Sequence, residues 1–167
     1  MEHISKRSIS LVSVGSSINI QSNKYKFNEG DILFGKLRPY FHKVCFASFS
    51  GVCSTDILVI RPKEAKMLPF CLFAFFQDEV INYVTAGSGG TRMPRTNWND
   101  LSSFPFLKPP TSLIEKFNVT VQPFLEKIKS NQTQTRTLTA LRDTLLPKLM
   151  SGEVWVEINT TVKMEEA

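Results

Sequence analysis

One stretch near the C-terminus, VQPFLEKIKSNQTQTRTLTALRDTLLPKLMSG at residues 121–152, constrains this chain more than any other. Apolar residues lead into it at Ile114, Phe117, Val121, Phe124 and Ile128, in alternating steps of three and four. That spacing marks a heptad seam. The next seam positions, Asn131 and Thr135, are polar, and apolar spacing resumes at Leu138, Leu141, Leu145 and Leu149. A helix over residues 123–150 is roughly 40 Å long at about 1.5 Å per residue, more than a small head can cover. The chain offers no second helix of that length, so the stripe calls for a partner, either another copy or a relative. The bland alternative is a helix folded back on its own domain. Phe124, Ile128, Leu138, Leu141, Leu145 and Leu149 form the expected pairing face. Pro123 suits a first helical turn, with a shorter helix over residues 112–121 before it. Gly152 reads as the stop, and Pro147 is expected to kink the last turn or end the helix early. The polar middle is either solvated or fixes register, with Asn131 and Gln134 bonding across to a partner.

The 167 residues allow a head of about 110 residues plus a helical extension. The expected division is a head at 1–110, a helical dimerisation and spacer region at 111–156, and an acidic tail at 157–167. The fold class is α+β, a β-rich head with a buried helix followed by the long C-terminal helix, the latter in an intermolecular antiparallel pair. Net charge is +5, and its placement matters more than its size. Residues 1–50 hold seven Lys/Arg against three Asp/Glu, and residues 111–150 hold six against three. A basic head and helix fit an anionic partner such as nucleic acid. Three cysteines without a CxxC pair read as reduced thiols, and two distant histidines make no metal site. The apolar run at 67–76 is too short to span a bilayer, and no secretory signal opens the chain. A soluble, cytoplasmic protein without a cofactor is expected.

Along the chain, the first twenty residues alternate like one or two edge strands. NEGD at 28–31 is a turn, and DILFG a buried strand. HKVCFAS is a strand, and residues 57–60 suggest a central one that Pro62 ends. Residues 68–84 read as one buried helix. GSGGTRMPRTNW is a flexible loop, and LSSFPFLKPP a short strand closed by Pro109 and Pro110.

Enzyme chemistries find little support. Asp56, Glu64 and Lys66 give a D…ExK pattern like that of metal-dependent nucleases, which need two carboxylates on one metal and a lysine near the attacking water. Glu64 and Lys66 lie beyond Pro62, in a turn, so this stands as the alternative function. GSGG lacks the GK[ST] ending of a phosphate loop. No methyltransferase fingerprint and no Ser–His–acid arrangement is present. Two loops do better, each combining cations, an aromatic ring and polar groups. The first holds Lys36, Arg38, Tyr40 and Lys43. The second holds Thr91, Arg92, Arg95, Thr96, Asn97 and Trp98. Arginine bridges guanine O6 and N7, asparagine bridges adenine N6 and N7, and lysines and hydroxyls hold phosphates. Prolines 39 and 94 stiffen both loops. The competing reading is structural, with Arg38 or Arg92 paired to Asp31 or Asp100.

The ending LRDTLLPKLMSGEV resembles the C-terminal conserved region of type I restriction–modification specificity subunits. The runs YKFNEGDILFGKLRPYFHKV and GTRMPRTNW are similar to their recognition-domain loops. The resemblance covers about residues 20–156. It implies a non-catalytic subunit that reads half of a bipartite double-stranded DNA target. Each target recognition domain there is followed by a long helix, and two such helices pack antiparallel to set the half-site spacing. Methyltransferase subunits using S-adenosylmethionine and a motor–nuclease subunit dock on that scaffold. This chain holds one recognition domain and one helix, and it is expected to begin inside the domain. A half-subunit is therefore expected, working as a homodimer or beside a second half-subunit.

Overall fold

A computed structural model describes residues 3–11, 14–15, 22–88 and 93–155. The chain divides into two compact units, Met1–Lys129 and Ser130–Ala167. The first unit is built on three antiparallel strands in the order β3–β2–β5: β2 (Ile32–Gly35) lies between β3 (Val44–Phe46) and β5 (Ile57–Ile60). A two-stranded sheet pairs β1 (Lys24–Phe27) with β4 (Gly51–Ser54). Alternation along the strands sends side chains to opposite faces. Ile32, Phe34, Val44 and Phe46 join Leu72, Val80, Ile81, Val84, Leu101 and Leu125 in one core. Leu33, Cys45 and Ile57 join Ile4, Leu11, Phe27 and Cys53 in the other. Both faces of β2 are covered, which is why its sequence is apolar without a break. The central position expected for 57–60 belongs to β2, and β5 is an edge strand. Among the described residues of the N-terminal segment there is one parallel bridge, Ser10 to Phe46, rather than a strand.

The expected single helix over 68–84 is two, α1 (Leu68–Phe75) and α2 (Asp78–Gly87). Gln77 is extended, and Asp78 and Glu79 open α2 with the acidic first turn that helix starts favour. Buried His42 sits at the break. Its Nε2 lies 2.9 Å from the Phe76 carbonyl, and its Nδ1 lies 3.2 Å from Asp78 Oδ1. The strand expected at LSSFPF is instead a short helix, α3 (Trp98–Ser102), followed by irregular chain. A capping box at Asn97 and Asp100 starts that helix. Prolines 105, 109 and 110 remove ladder donors from the segment after it.

The long helix is one element, α4 (Thr111–Met150), about 60 Å at roughly 1.5 Å per residue. It runs through Pro123 and Pro147, so neither the expected break near residue 122 nor an early end occurs. A proline inside a helix costs about 3 kcal/mol. At Pro123 that cost is offset by packing on both sides, since Ile114, Val121, Leu125 and Ile128 all meet the head core. The seam expected over this half is thereby corrected. Leu125 is buried while Phe124 is 66 % exposed, and Ile128 packs on its own head. Ion pairs of Lys66 with Glu115 and of Lys129 with Glu29 also tie residues 111–129 to the rest of the first unit.

In the second unit, Leu138, Leu141, Leu145 and Leu149 are exposed along α4. Thr135 and Thr137 in the polar middle, and Thr144 beyond it, donate to the carbonyls one turn back. Gly152 ends the helix as expected, at φ 76°. Its N–H bonds the Leu149 carbonyl at 3.3 Å, and the Glu153 N–H bonds that of Lys148 at 3.0 Å, which is a Schellman cap.

Candidate nucleic-acid interface

The two loops marked by their cations are far apart in sequence and joined in space. Leu37 and Arg95 form an antiparallel bridge. The Arg38 N–H donates to the Pro94 carbonyl at 2.8 Å, and the Thr96 N–H to the Lys36 carbonyl at 3.1 Å. The Lys36 N–H donates to the Asp56 carbonyl at 2.8 Å, which adds the β4–β5 turn to the same platform. Backbone hydrogen bonds therefore hold the segments that carry Lys36, Arg38 and Arg95 together.

Arg38 sits at φ 51°, ψ 67°, in the left-handed region, just before a single 3-10 turn over Pro39–Phe41. His42, at φ 52°, ends that turn. Two non-glycine residues in this region around three others concentrate backbone strain on one loop, as functional loops often do. Two cations approach the Phe41 ring, with Lys6 Nζ 4.0 Å and the Arg38 guanidinium carbon 5.8 Å from its centroid. Arg38 Nε is buried without a hydrogen-bond partner among the described residues. The structural partner proposed for it is taken, because buried Asp31 accepts two 2.7 Å bonds from Arg61. Tyr40 and Trp98 are each about half exposed, both 49 %.

Other residues named from the sequence fall differently. Arg95 pairs with Asp56 at 3.2 Å while remaining largely exposed. Asn97 is a helix cap. Its Oδ1 accepts from the Asp100 N–H at 3.1 Å, and its Nδ2 donates to Asp100 Oδ2 at 2.8 Å. Reading an adenine would require it to leave α3 uncapped. Thr96 is buried and turned toward Asp100. Lys43 is partly buried at the entry to β3. Thr91 and Arg92 lie outside the described residues. Of the nuclease pattern, Asp56 is held by Arg95, while Lys66 lies 3.3 Å from both Glu64 and Glu115. No group of three metal-ligating side chains occurs among the described residues. Burial pushes the Cys45 thiol up to about 12 and raises those of Cys53 and Cys71, the reverse of an activated nucleophile.

Local pattern does not reveal one further grouping, which adds Tyr25, Lys26 and Arg61 to Lys36. Tyr25 and Lys26 on β1, with Lys36 and Arg61, line an open concavity of about 490 Å³ floored by Ile57, Leu58 and Val59. The available signal was Lys24-Tyr25-Lys26, three exposed residues in a row on a strand.

Residues 5–140 match the family described as Type I restriction modification DNA specificity domain. The MjaIX specificity subunit of Methanocaldococcus jannaschii is 39% identical over 136 residues, covering 78% of this chain and 31% of that protein. The EcoDI specificity subunit of Escherichia coli is 33% identical over 92 residues, 54% of this chain and 20% of its own length. The HindI specificity subunit of Haemophilus influenzae is 30% identical over 96 residues, 57% and 21% respectively. The chain thus spans between a fifth and a third of these relatives. With the match covering the head and most of α4, this chain belongs to the type I restriction modification DNA specificity domain family.

Proposed function

We propose that this chain is a DNA sequence-recognition and scaffold module of a type I restriction–modification system. It reads one half of a bipartite duplex target through the joined loops and performs no catalysis itself. Arg38, Tyr40 and Arg95, with Arg92 from the neighbouring loop segment, face bases, while Lys36 and Lys43 face phosphates. The leucine face of α4 pairs with a second copy or another half-subunit, which spaces two reading heads. Methyltransferase subunits using S-adenosylmethionine and a motor–nuclease subunit dock on that pair, in the cytoplasm. No described helix is long and apolar enough to cross a membrane.

The observation that carries the reading is the bonding of the loops into one surface, Arg38 to Pro94 and Thr96 to Lys36. Two loops with base-reading chemistry are joined there backbone to backbone. Selection from a random-sequence duplex library, read by gel shift, tests it. The expected result is enrichment of a short motif, with Arg38→Ala and Arg95→Ala each losing about 1–3 kcal/mol of discrimination at one base pair. A chain that dimerises yet shifts no duplex would be a scaffold fragment, and the recognition reading would fall. Plasmid cleavage with Mg²⁺ that Glu64→Ala abolishes would reinstate the nuclease.

A further inference from the structure

We infer that the concavity between β1 and β5 grips the sugar–phosphate backbone of the DNA strand lying beside the base-reading loops. The inference rests on the proposed recognition function and adds a site to it. Three cations, Lys26, Lys36 and Arg61, line the concavity, and no carboxylate lines it among the described residues. Arg61 is pre-organised. Its Nε and one terminal nitrogen fork onto buried Asp31 at 2.7 Å each, which leaves the second terminal nitrogen outside that pair. A guanidinium fixed from behind loses little freedom on meeting a phosphate.

Lys36 belongs to both surfaces. Its backbone bonds the two reading loops together, and its ammonium lies 5.8 Å from the Tyr25 ring centroid. The concavity is therefore continuous with the platform. Its walls suit a sugar as well as a phosphate. The half-exposed Tyr25 ring, with the partly exposed Leu58 and Val59, offers apolar surface to a deoxyribose. The open shape admits a continuous strand. Such contacts place a duplex without reading its sequence.

The test compares wild type with Lys26→Ala and Tyr25→Ala, both at exposed positions, with melting curves confirming that each folds. Affinity for a selected duplex and for a mixed-sequence library is measured across a salt series. The expected result for Lys26→Ala is the same fractional loss on both duplexes and a salt slope smaller by about one. Tyr25→Ala is expected to weaken both duplexes equally, with the slope unchanged. Wild type that binds DNA while both variants match it in affinity and slope would overturn this inference alone. A variant that alters sequence preference would make the concavity a base-reading site and also overturn it. Amide shifts at Tyr25 and Lys26 that respond to inorganic phosphate as strongly as to duplex at equal phosphate concentration would mean a free-anion site instead. Wild type that binds no duplex at all would overturn the recognition reading and this inference with it.

Discussion

Asp31 shows how one buried carboxylate organises a turn and an arginine. Burial works to raise its pKa, but the bonds from Arg61 and the Asn28 N–H, with the arginine's charge, outweigh it and hold the carboxyl below its usual range. A depressed acid contributes stability above its unfolded value, about 3.9, and that contribution is lost as pH falls through the folded value. Replacing Arg61 with Ala leaves the burial penalty less opposed. We expect Arg61→Ala to melt below wild type at neutral pH and its acid unfolding to begin at higher pH, as circular dichroism would show. Arg38 offers a cleaner separation of fold from function. At φ 51° an L-residue pays about 1–2 kcal/mol that glycine does not. Arg38→Gly should keep or raise the melting temperature while losing roughly tenfold or more in affinity for the selected duplex. A variant that binds as wild type would remove Arg38 from the interface.

Helix α4 has two regimes along its length. Over residues 111–129 it is a core helix of the head, with Leu125 only 3 % exposed and its neighbour Phe124 facing out. Leu125→Ala should cost about 2–5 kcal/mol in urea unfolding, as cavity-forming substitutions do. Phe124→Ala should stay within about 0.5 kcal/mol. Equal effects would mean that the heptad register read from the sequence holds here after all. The far end closes on Gly152 at φ 76°. Gly152→Ala there should fray the last turn at a cost of about 1 kcal/mol, visible as faster amide exchange at Glu153 and Val154, whose N–H groups bond the Lys148 carbonyl.

For the whole molecule, the exposed leucines of the second unit call for a cover. Exposed Leu138, Leu141, Leu145, Leu146 and Leu149 on one helix exceed what a lone soluble helix tolerates. A twofold pair covers the same patch on both copies. Light scattering should give twice 18.9 kDa at micromolar concentration. Leu141→Lys combined with Leu145→Lys should halve that mass without shifting the unfolding of the head. A monomeric wild type would leave the face for a different half-subunit.

The α+β class, the buried strand at Ile32–Gly35, the long C-terminal helix with its glycine stop and the two cationic loops were all legible in the amino-acid order. Each of these is written in local chemistry: period, turn residues, caps and charge. Long-range folding brought the two loops into contact, because the backbone bond from Arg38 to Pro94 joins residues whose neighbourhood no local pattern encodes. It decided that α4 continues through Pro123, because packing against the head on both sides offsets the lost helical bond. It put Asn97 to work as a cap and assembled Tyr25, Lys26, Lys36 and Arg61 around one concavity. Such groupings arise where strands distant in sequence pair, and the energy that pairs them is burial of the two faces of β2, which no single segment carries.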